Sequence, residues 1–275
     1  MSALNSLARD WLPPAVHRAV GRWRASGSAI RFEGEFATWQ EAAARCAGYE
    51  ASHILGKVLA ATLEVKRGEA IYERDSVLFH EIDYNWPVAA GLLWAAGRSR
   101  GRLTVLDFGG ALGSSYYQNR GLLEGLAHLR WNVVEQPHYV AVGRAQVQDE
   151  TLRFHDSIDA CARESAPNAV LLSSVLQYLE DPRAVLEQAM RMEPEVIVVD
   201  RTIVNDGPAD RIYMQRVPAS IYRASYPCRS LSESNLVAAL EGRYRLAASF
   251  ASLEFPALRS IASSFRGFLF HKAAG

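Results

Sequence analysis

Apolar positions follow two different rhythms along this chain, and the change falls at Gly101. Before it, the spacing is helical. Ile54, Leu55, Val58, Leu59 and Leu63 recur at three- and four-residue intervals and predict a helix over 50–64. Thr38 with Glu41 three residues on is the signature of a capped helix start at Trp39, with an end expected near Gly48. Pro87 suits the first turn of a third helix through about Ala96, bounded by Gly97. Pro14 can open a shorter one to Arg24, with Val16, Val20 and Trp23 on one side and Arg18 and Arg22 on another. The first hundred residues therefore read as a mostly helical N-terminal extension, over 1–100.

After Gly101 the apolar runs shorten and begin to alternate with amphipathic stretches. Strands are expected at 103–108, 131–134, 151–154, 169–173 and 196–199, and helices at 114–127, 139–148 and 182–192. Such alternation predicts an α/β fold, a Rossmann-like doubly wound sheet that is mostly parallel. Near the end, 244–253 and 265–271 read as strands with no helix between them, so an antiparallel C-terminal pair should finish the sheet. A helix over 232–240 precedes them. Residues 206–229 are rich in Pro, Tyr and Arg without clean periodicity and read as a substrate-side insertion in a domain spanning 101–275.

Composition narrows the class. Apolar residues make up 49% and charged residues 22%, which excludes a mostly disordered chain. Thirty Lys plus Arg balance thirty Asp plus Glu, which argues against a protein built to coat nucleic acid. Cys46, Cys161 and Cys228 are scattered and form no C-x-x-C pair, so neither a zinc knuckle nor a disulfide scaffold is expected, and a reducing, cytoplasmic setting fits. No run reaches the ~18–20 apolar residues of a membrane span. Asp10, Arg18, Arg22 and Arg24 interrupt the N-terminus where a secretory leader needs an apolar core. Residues 1–30, with four arginines and one acid, leave two readings open: a helix packed on the body, or a weak peripheral contact with an anionic membrane surface.

The densest chemistry lies in Val105-Leu106-Asp107-Phe108-Gly109-Gly110-Ala111-Leu112-Gly113-Ser114. Glycines serve where the backbone turns sharply from strand to helix and where a ligand must approach it closely. The helix that follows offers free amides to a negative group. Glu135, with Gln136 after it, ends the next strand 22 residues beyond Gly113, where a carboxylate can accept hydrogen bonds from both hydroxyls of a ribose. The dinucleotide fingerprint G-x-G-x-x-G is broken at Ala111 and Ser114, and no Gly-Lys-Ser/Thr ending of a P-loop exists.

The spacing instead resembles D-x-G-x-G-x-G, the first motif of class I S-adenosylmethionine-dependent methyltransferases, with Asp107, Gly109 and Gly113 matching and Ala111 in place of the middle glycine. More closely, the chain resembles a family of bacterial methyltransferases often encoded among surface-polysaccharide genes. The matching pieces are Phe32-Glu33-Gly34 with Thr38-Trp39, Gly48-Tyr49, Tyr72-Glu73-Arg74-Asp75 through Phe79, Trp86-Pro87, Asp107 to Ser114, Ser173 to Leu179, Asp200-Arg201-Thr202 and Tyr226-Pro227. This resemblance implies S-adenosylmethionine as cofactor and a small-molecule or glycan acceptor. It implies adenine contacts at His155 and Asp156, after the third strand of the sheet, and places Ser173 and Ser174 under the methyl donor.

In methyl transfer the protein binds and aligns the reactants, and a base is needed only where the acceptor must lose a proton. The candidates for that work are His155, Asp200 and Gln177; His138 falls near the ribose acid. Arg74 can meet a methionyl carboxylate with a two-pronged hydrogen bond, or pair on a solvated loop. Tyr178, Arg201, Tyr213 and Tyr226 are candidates for acceptor contacts, in an aromatic and polar set with Arg211, Gln215 and Tyr222. Two rival functions stay open: a nicotinamide-dependent oxidoreductase on the same fold, and a cofactor-binding member that transfers nothing.

Overall fold

The structure, a computed structural model, describes residues 31–46, 51–217, 224–252, 258 and 261–273. The helix expected over 14–24, the membrane contact through 1–30, Gly48, Tyr49 and Tyr222 lie outside the described residues.

The N-terminal part contains β1 (Arg31–Phe36), α1 (Trp39–Arg45), α2 (Ala51–Lys66), the short hairpin β2 (Tyr72–Arg74) and β3 (Val77–Phe79), and α3 (Trp86–Arg98). Thr38 caps α1, accepting from the Glu41 amide, while the Glu41 carboxylate reaches back to the Ala37 amide. Asn85 caps α3, with Pro87 in its first turn. The three helices stand where periodicity put them. The three strands were not expected in a segment read as mostly helical. β1 pairs antiparallel with a strand of the insertion, and β2 and β3 are three residues each, too short for alternation to register.

The second part runs β4 (Arg102–Phe108), α4 (Ser114–Leu123), β5 (His128–Val134), α5 (Pro137–Val142), β6 (Leu152–His155), α6 (Ile158–Glu164), β7 (Ala169–Ser173), α7 (Pro182–Arg191) and β8 (Val196–Asn205). Then come β9 (Arg211–Val217), β10 (Ala224–Ser232), α8 (Glu233–Leu240), β11 (Tyr244–Ala251) and β12 (Ser264–Lys272). α5 ends in a π-turn over Gly143–Val147.

Strands β6-β5-β4-β7-β8 are parallel neighbours, and the antiparallel pair β12–β11 completes the sheet beyond β8. This is the expected doubly wound, mostly parallel sheet. Its side chains alternate between two apolar layers: Leu103, Val105, Val196 and Val198 face α2 to α5, whereas Leu106, Ile197 and Val199 face α6 to α8. From β4 the chain winds outward to β5 and β6, then returns to β7 on the other side. That reversal opens a crevice at the carboxyl ends of β4 and β7.

The stretch read as an insertion without periodicity is the hairpin β9–β10, joined to β1 on its outer edge. Polar Gln215 is buried among apolar neighbours and Pro227 sits within a strand, so the period-two signal is masked. β8 outruns β7: its first five residues pair with β7, and Val204 and Asn205 pair with Leu231 and Ser232 of β10. The β1–β9–β10 unit is thus attached at the carboxyl end of the sheet.

Candidate active site

The turn after β4 is shaped by close contacts. Gly109 has φ +72°, and a Cβ there would lie 2.5 Å from Val175 Cγ2. A Cβ on Gly110 would lie 2.5 Å from the Asp107 carboxylate. Gly113 has φ +96° and begins α4 with no side-chain cap, leaving the first amides of the helix free of one. Ala111, which stands for the middle glycine, adopts φ +50°. The backbone therefore keeps a glycine-like conformation at a position carrying a Cβ, at a cost of about 1 kcal/mol. Ala111→Gly is expected to raise stability by up to about 1 kcal/mol in urea denaturation, less the extra entropy glycine gives the unfolded chain.

Three acids, Asp107 and Glu73 buried and Glu135 partly so, flank this turn. Asp107 is 1% exposed and accepts a 3.0 Å hydrogen bond from Trp131 Nε1. Burial pushes its carboxyl up to about 7, against the pull of Trp131 and Arg201. Glu135 follows β5 and accepts from the Gln136 amide at 2.7 Å. Burial raises its pKa, while the Gln136 and Ala111 amides lower it. The Gly109 amide, donating to the Val134 carbonyl at 2.9 Å, ties the end of β5, and with it the expected ribose acid, to the glycine turn. Glu73, from the β2–β3 hairpin, is 1% exposed, accepts from Ser114 Oγ at the start of α4 and from the Ser76 amide, and is likewise raised by burial.

Across the crevice, Asp200 and Arg201 interrupt β8. The pairing with β12 shifts between Val199 and Thr202, so these two residues oppose Gly267 alone. Arg201 has φ +46°. Such a bulge re-aims side chains. Both now face one cluster: Asp200 Oδ2 accepts from Ser173 Oγ at 2.9 Å and from Asn85 Nδ2 at 3.0 Å. Arg201 Nε donates to Ser173 Oγ at 3.2 Å and lies 3.6 Å from Asp200 Oδ2. Asp200 is 2% exposed, yet its Oδ1 has no hydrogen-bond partner. Asp200, Arg201, Asn85, Arg74, Ser115 and Asn119 line a narrow cavity. Asn119 Oδ1 is also buried without a partner. A donor-bearing ligand would satisfy both oxygens.

Other expected site residues stand as follows. Ser174, with φ +55°, donates its amide to the Asp200 carbonyl. Gln177 Nε2 donates to the Arg201 carbonyl and to Ser174 Oγ. Arg74 sits 5.6 Å from the Tyr72 ring centroid and 5.8 Å from that of Phe79. Tyr178 OH donates to Gln215 Oε1, and Gln215 Nε2 donates to Tyr226 OH, with the two tyrosine rings edge to face. Tyr213 packs instead with Phe32, Ile203 and Cys228 in a small apolar cluster. Asp156 pairs with Arg144, which rises from the π-turn.

His155 is apart from the cavity. Its Nε2 lies 3.1 Å from Asn132 Oδ1, and its Nδ1 faces Glu164 at 3.8 Å. Asn132 spends its own amide on the Val105 carbonyl, so Nε2 must be the donor. Burial pushes the imidazole pKa down.

Asn85, Ser115 and Asn119 escaped the sequence reading, and Glu73 entered it only within the stretch Tyr72-Glu73-Arg74-Asp75. Asn85 had a legible signal as the cap before Trp86-Pro87; its bond to Asp200, 115 residues away, had none. Among the described residues no cluster of three or more His, Cys, Asp or Glu is placed to hold a metal ion, and no helix is long and apolar enough to cross a membrane.

No family model matches the chain, and no curated protein matches it. Among solved structures, it is similar to the N-terminal domain of EvdMO1 in the presence of SAH and D-fucose, at 16% identity, over 82% of this chain and 98% of that one, with a TM-score of 0.45. It is similar to the CcbJ methyltransferase from Streptomyces caelestis at 15% identity, over 69% and 94%, with a TM-score of 0.43. For the glycopeptide N-methyltransferase MtfA complexed with S-adenosylhomocysteine the values are 14%, 72%, 94% and 0.45. At such identities and TM-scores these likenesses carry no argument about this chain, whose reading stands on its own residues.

Proposed function

We propose that the chain is an S-adenosylmethionine-dependent methyltransferase acting on an oxygen of a small molecule or glycan. The observation that carries this reading is the position of Glu135 at the end of β5, beside the glycine turn, where the Gly109 amide donates to the Val134 carbonyl at 2.9 Å, at the carboxyl ends of the first two parallel strands. A ribose acid beside a turn that is neither a dinucleotide fingerprint nor a P-loop suits an adenosyl ligand.

The residues present fit that cofactor. Gly109, Gly110 and Gly113 let the turn pack closely on Val175, Asp107 and Leu152, Glu135 with Gln136 would hold the ribose, and Asp156 would reach the adenine. Arg74 would take the methionyl carboxylate, with Ser115 and the unpartnered Asn119 Oδ1 beside it. S-adenosylmethionine supplies a methyl group on a sulfonium, which leaves as a neutral thioether. Asp200 is the assigned base: Oδ2 is held by Asn85 and Ser173, and Oδ1 takes the proton of the acceptor hydroxyl. His155, with both nitrogens facing Asn132 and Glu164, is better suited to holding β5 against α6. Tyr178, Tyr226, Gln177 and Arg201 would contact the acceptor. Glu73, Arg74 and Asn85 support a lid role for residues 1–100, and the three free thiols support a cytoplasmic setting.

Calorimetry tests this on wild type and Glu135→Ala with S-adenosylmethionine, S-adenosylhomocysteine and NADH. Both adenosyl ligands should bind, and the substitution should weaken each about 10- to 100-fold through lost charged hydrogen bonds. Silence from both, or a preference for NADH, overturns the proposal.

A further inference from the structure

Asn119 lies in α4 one turn beyond Ser115, and the two residues share the helix face that lines the cavity. Asn119 is 1% exposed. Its Nδ2 donates to the Ser115 carbonyl at 2.8 Å. That bond fixes the amide, because turning it over would set Oδ1 against another acceptor. Oδ1 is thus a buried acceptor, and it has no hydrogen-bond partner. A buried oxygen without a donor lowers stability, and leucine would fill the same space without that penalty.

The same cavity holds the groups that decide which donor fits. Arg74 supplies a cation, and Asp200 Oδ1 is a second oxygen with no partner. Asp200 nonetheless has donors of its own: Ser173 and Asn85 bond its Oδ2, and Arg201 lies 3.6 Å from the same atom. Asn119 Oδ1 has none. A lone carboxylate would use Arg74 and leave Asn119 Oδ1 empty, and a lone amine would do the reverse. A single carbon bearing both an ammonium and a carboxylate serves the two residues at once. In the proposed cofactor only the methionyl end has that pattern.

We propose that Asn119 determines specificity for the α-ammonium group of the cofactor, its Oδ1 accepting from that group while Arg74 holds the adjoining carboxylate. This rests on the proposed cofactor, and it leaves Asp200 Oδ1 to the acceptor hydroxyl. A neutral oxygen suits the task. The zwitterion balances its own charges, and a further carboxylate in place of Asn119 would compete with the ligand for the Arg74 guanidinium group. The ammonium is present in methyl donor and product alike. Asn119 therefore adds to the affinity of both and leaves the barrier to transfer unchanged.

The test compares S-adenosylhomocysteine with its desamino analogue, in which hydrogen replaces the α-ammonium group. Calorimetry at pH 7 should show wild type binding S-adenosylhomocysteine about 10- to 100-fold more tightly than the analogue. In Asn119→Leu the ratio should fall to about two-fold, with the analogue bound as by wild type. A merely structural role would weaken both ligands alike. Asn119→Asp, which keeps an oxygen in place and adds charge beside the ammonium, should widen the ratio beyond that of wild type, and it serves if the leucine variant fails to fold. Asp200→Asn should change the ratio by less than about three-fold. A ratio near one in wild type, equal loss of both ligands in Asn119→Leu, an unchanged ratio in Asn119→Asp, or a preference lost only in Asp200→Asn overturns the inference. Failure of S-adenosylhomocysteine to bind wild type sinks the cofactor reading itself, and this inference with it.

Discussion

Asp107→Asn is expected to stabilise the ligand-free protein at pH 8 by on the order of 2–4 kcal/mol. The reason is the raised carboxyl. Asp107 ordinarily titrates near 3.8 and in the fold near 7. Between those values the folded state holds a proton that the unfolded state has released. Stability from this group is therefore complete below about pH 4 and is lost as pH rises through about 7. At pH 8 the wild type carries a buried charge that Trp131 and Arg201 only partly compensate. An amide removes that charge and still accepts from Trp131 Nε1. Its two new donors need partners, which sets the lower end of the range. Urea denaturation at pH 5 and pH 8 checks the sign. The wild type should lose stability across the interval relative to the variant; parallel curves would refute the buried-charge account.

Much of this candidate site is written locally in the sequence, and the parts that are not share a cause. The glycine turn, Asp107 and Glu135 belong to one local βαβ unit, where strand ends and turn residues are written consecutively. Asp200 was read as the end of a strand, whereas β8 runs on to Asn205 and Asp200 falls at a bulge within it. The unit β1–β9–β10 was not readable, because its pairing joins residues as distant as Phe32 and Gln215, and because buried Gln215 and Pro227 blur its alternation. Asn85 announced itself only as a helix cap, although the same amide group also bonds Asp200 through its nitrogen. Periodicity records which face is buried; it carries no record of which polar atoms meet across the fold. His155 shows the converse. Its position at the end of β6 suited a ligand contact, while the pleat turns its ring toward Asn132 and Glu164.

Removal of the cation should be the more damaging change. Arg201→Met is expected to destabilise the protein by about 3–5 kcal/mol at pH 8. Its side chain is 13% exposed and Asp200 is 2% exposed, so methionine would leave Asp200 and Asp107 buried without their shared positive neighbour. The apolar stem is retained, which separates lost charge from lost packing. The left-handed backbone at φ +46° burdens both residues alike and cancels in the comparison. The loss should shrink at pH 6, where Asp107 regains its proton, because Arg201 lowers the Asp107 pKa and its removal favours the protonated form further. Asp107→Asn placed on top of Arg201→Met should recover part of the stability at pH 8 and little at pH 6. A double-mutant cycle in urea at both pH values measures that coupling. Additive effects at pH 8 would mean that Arg201 serves Asp200 alone, and that Trp131 Nε1 is the main support of the Asp107 carboxylate.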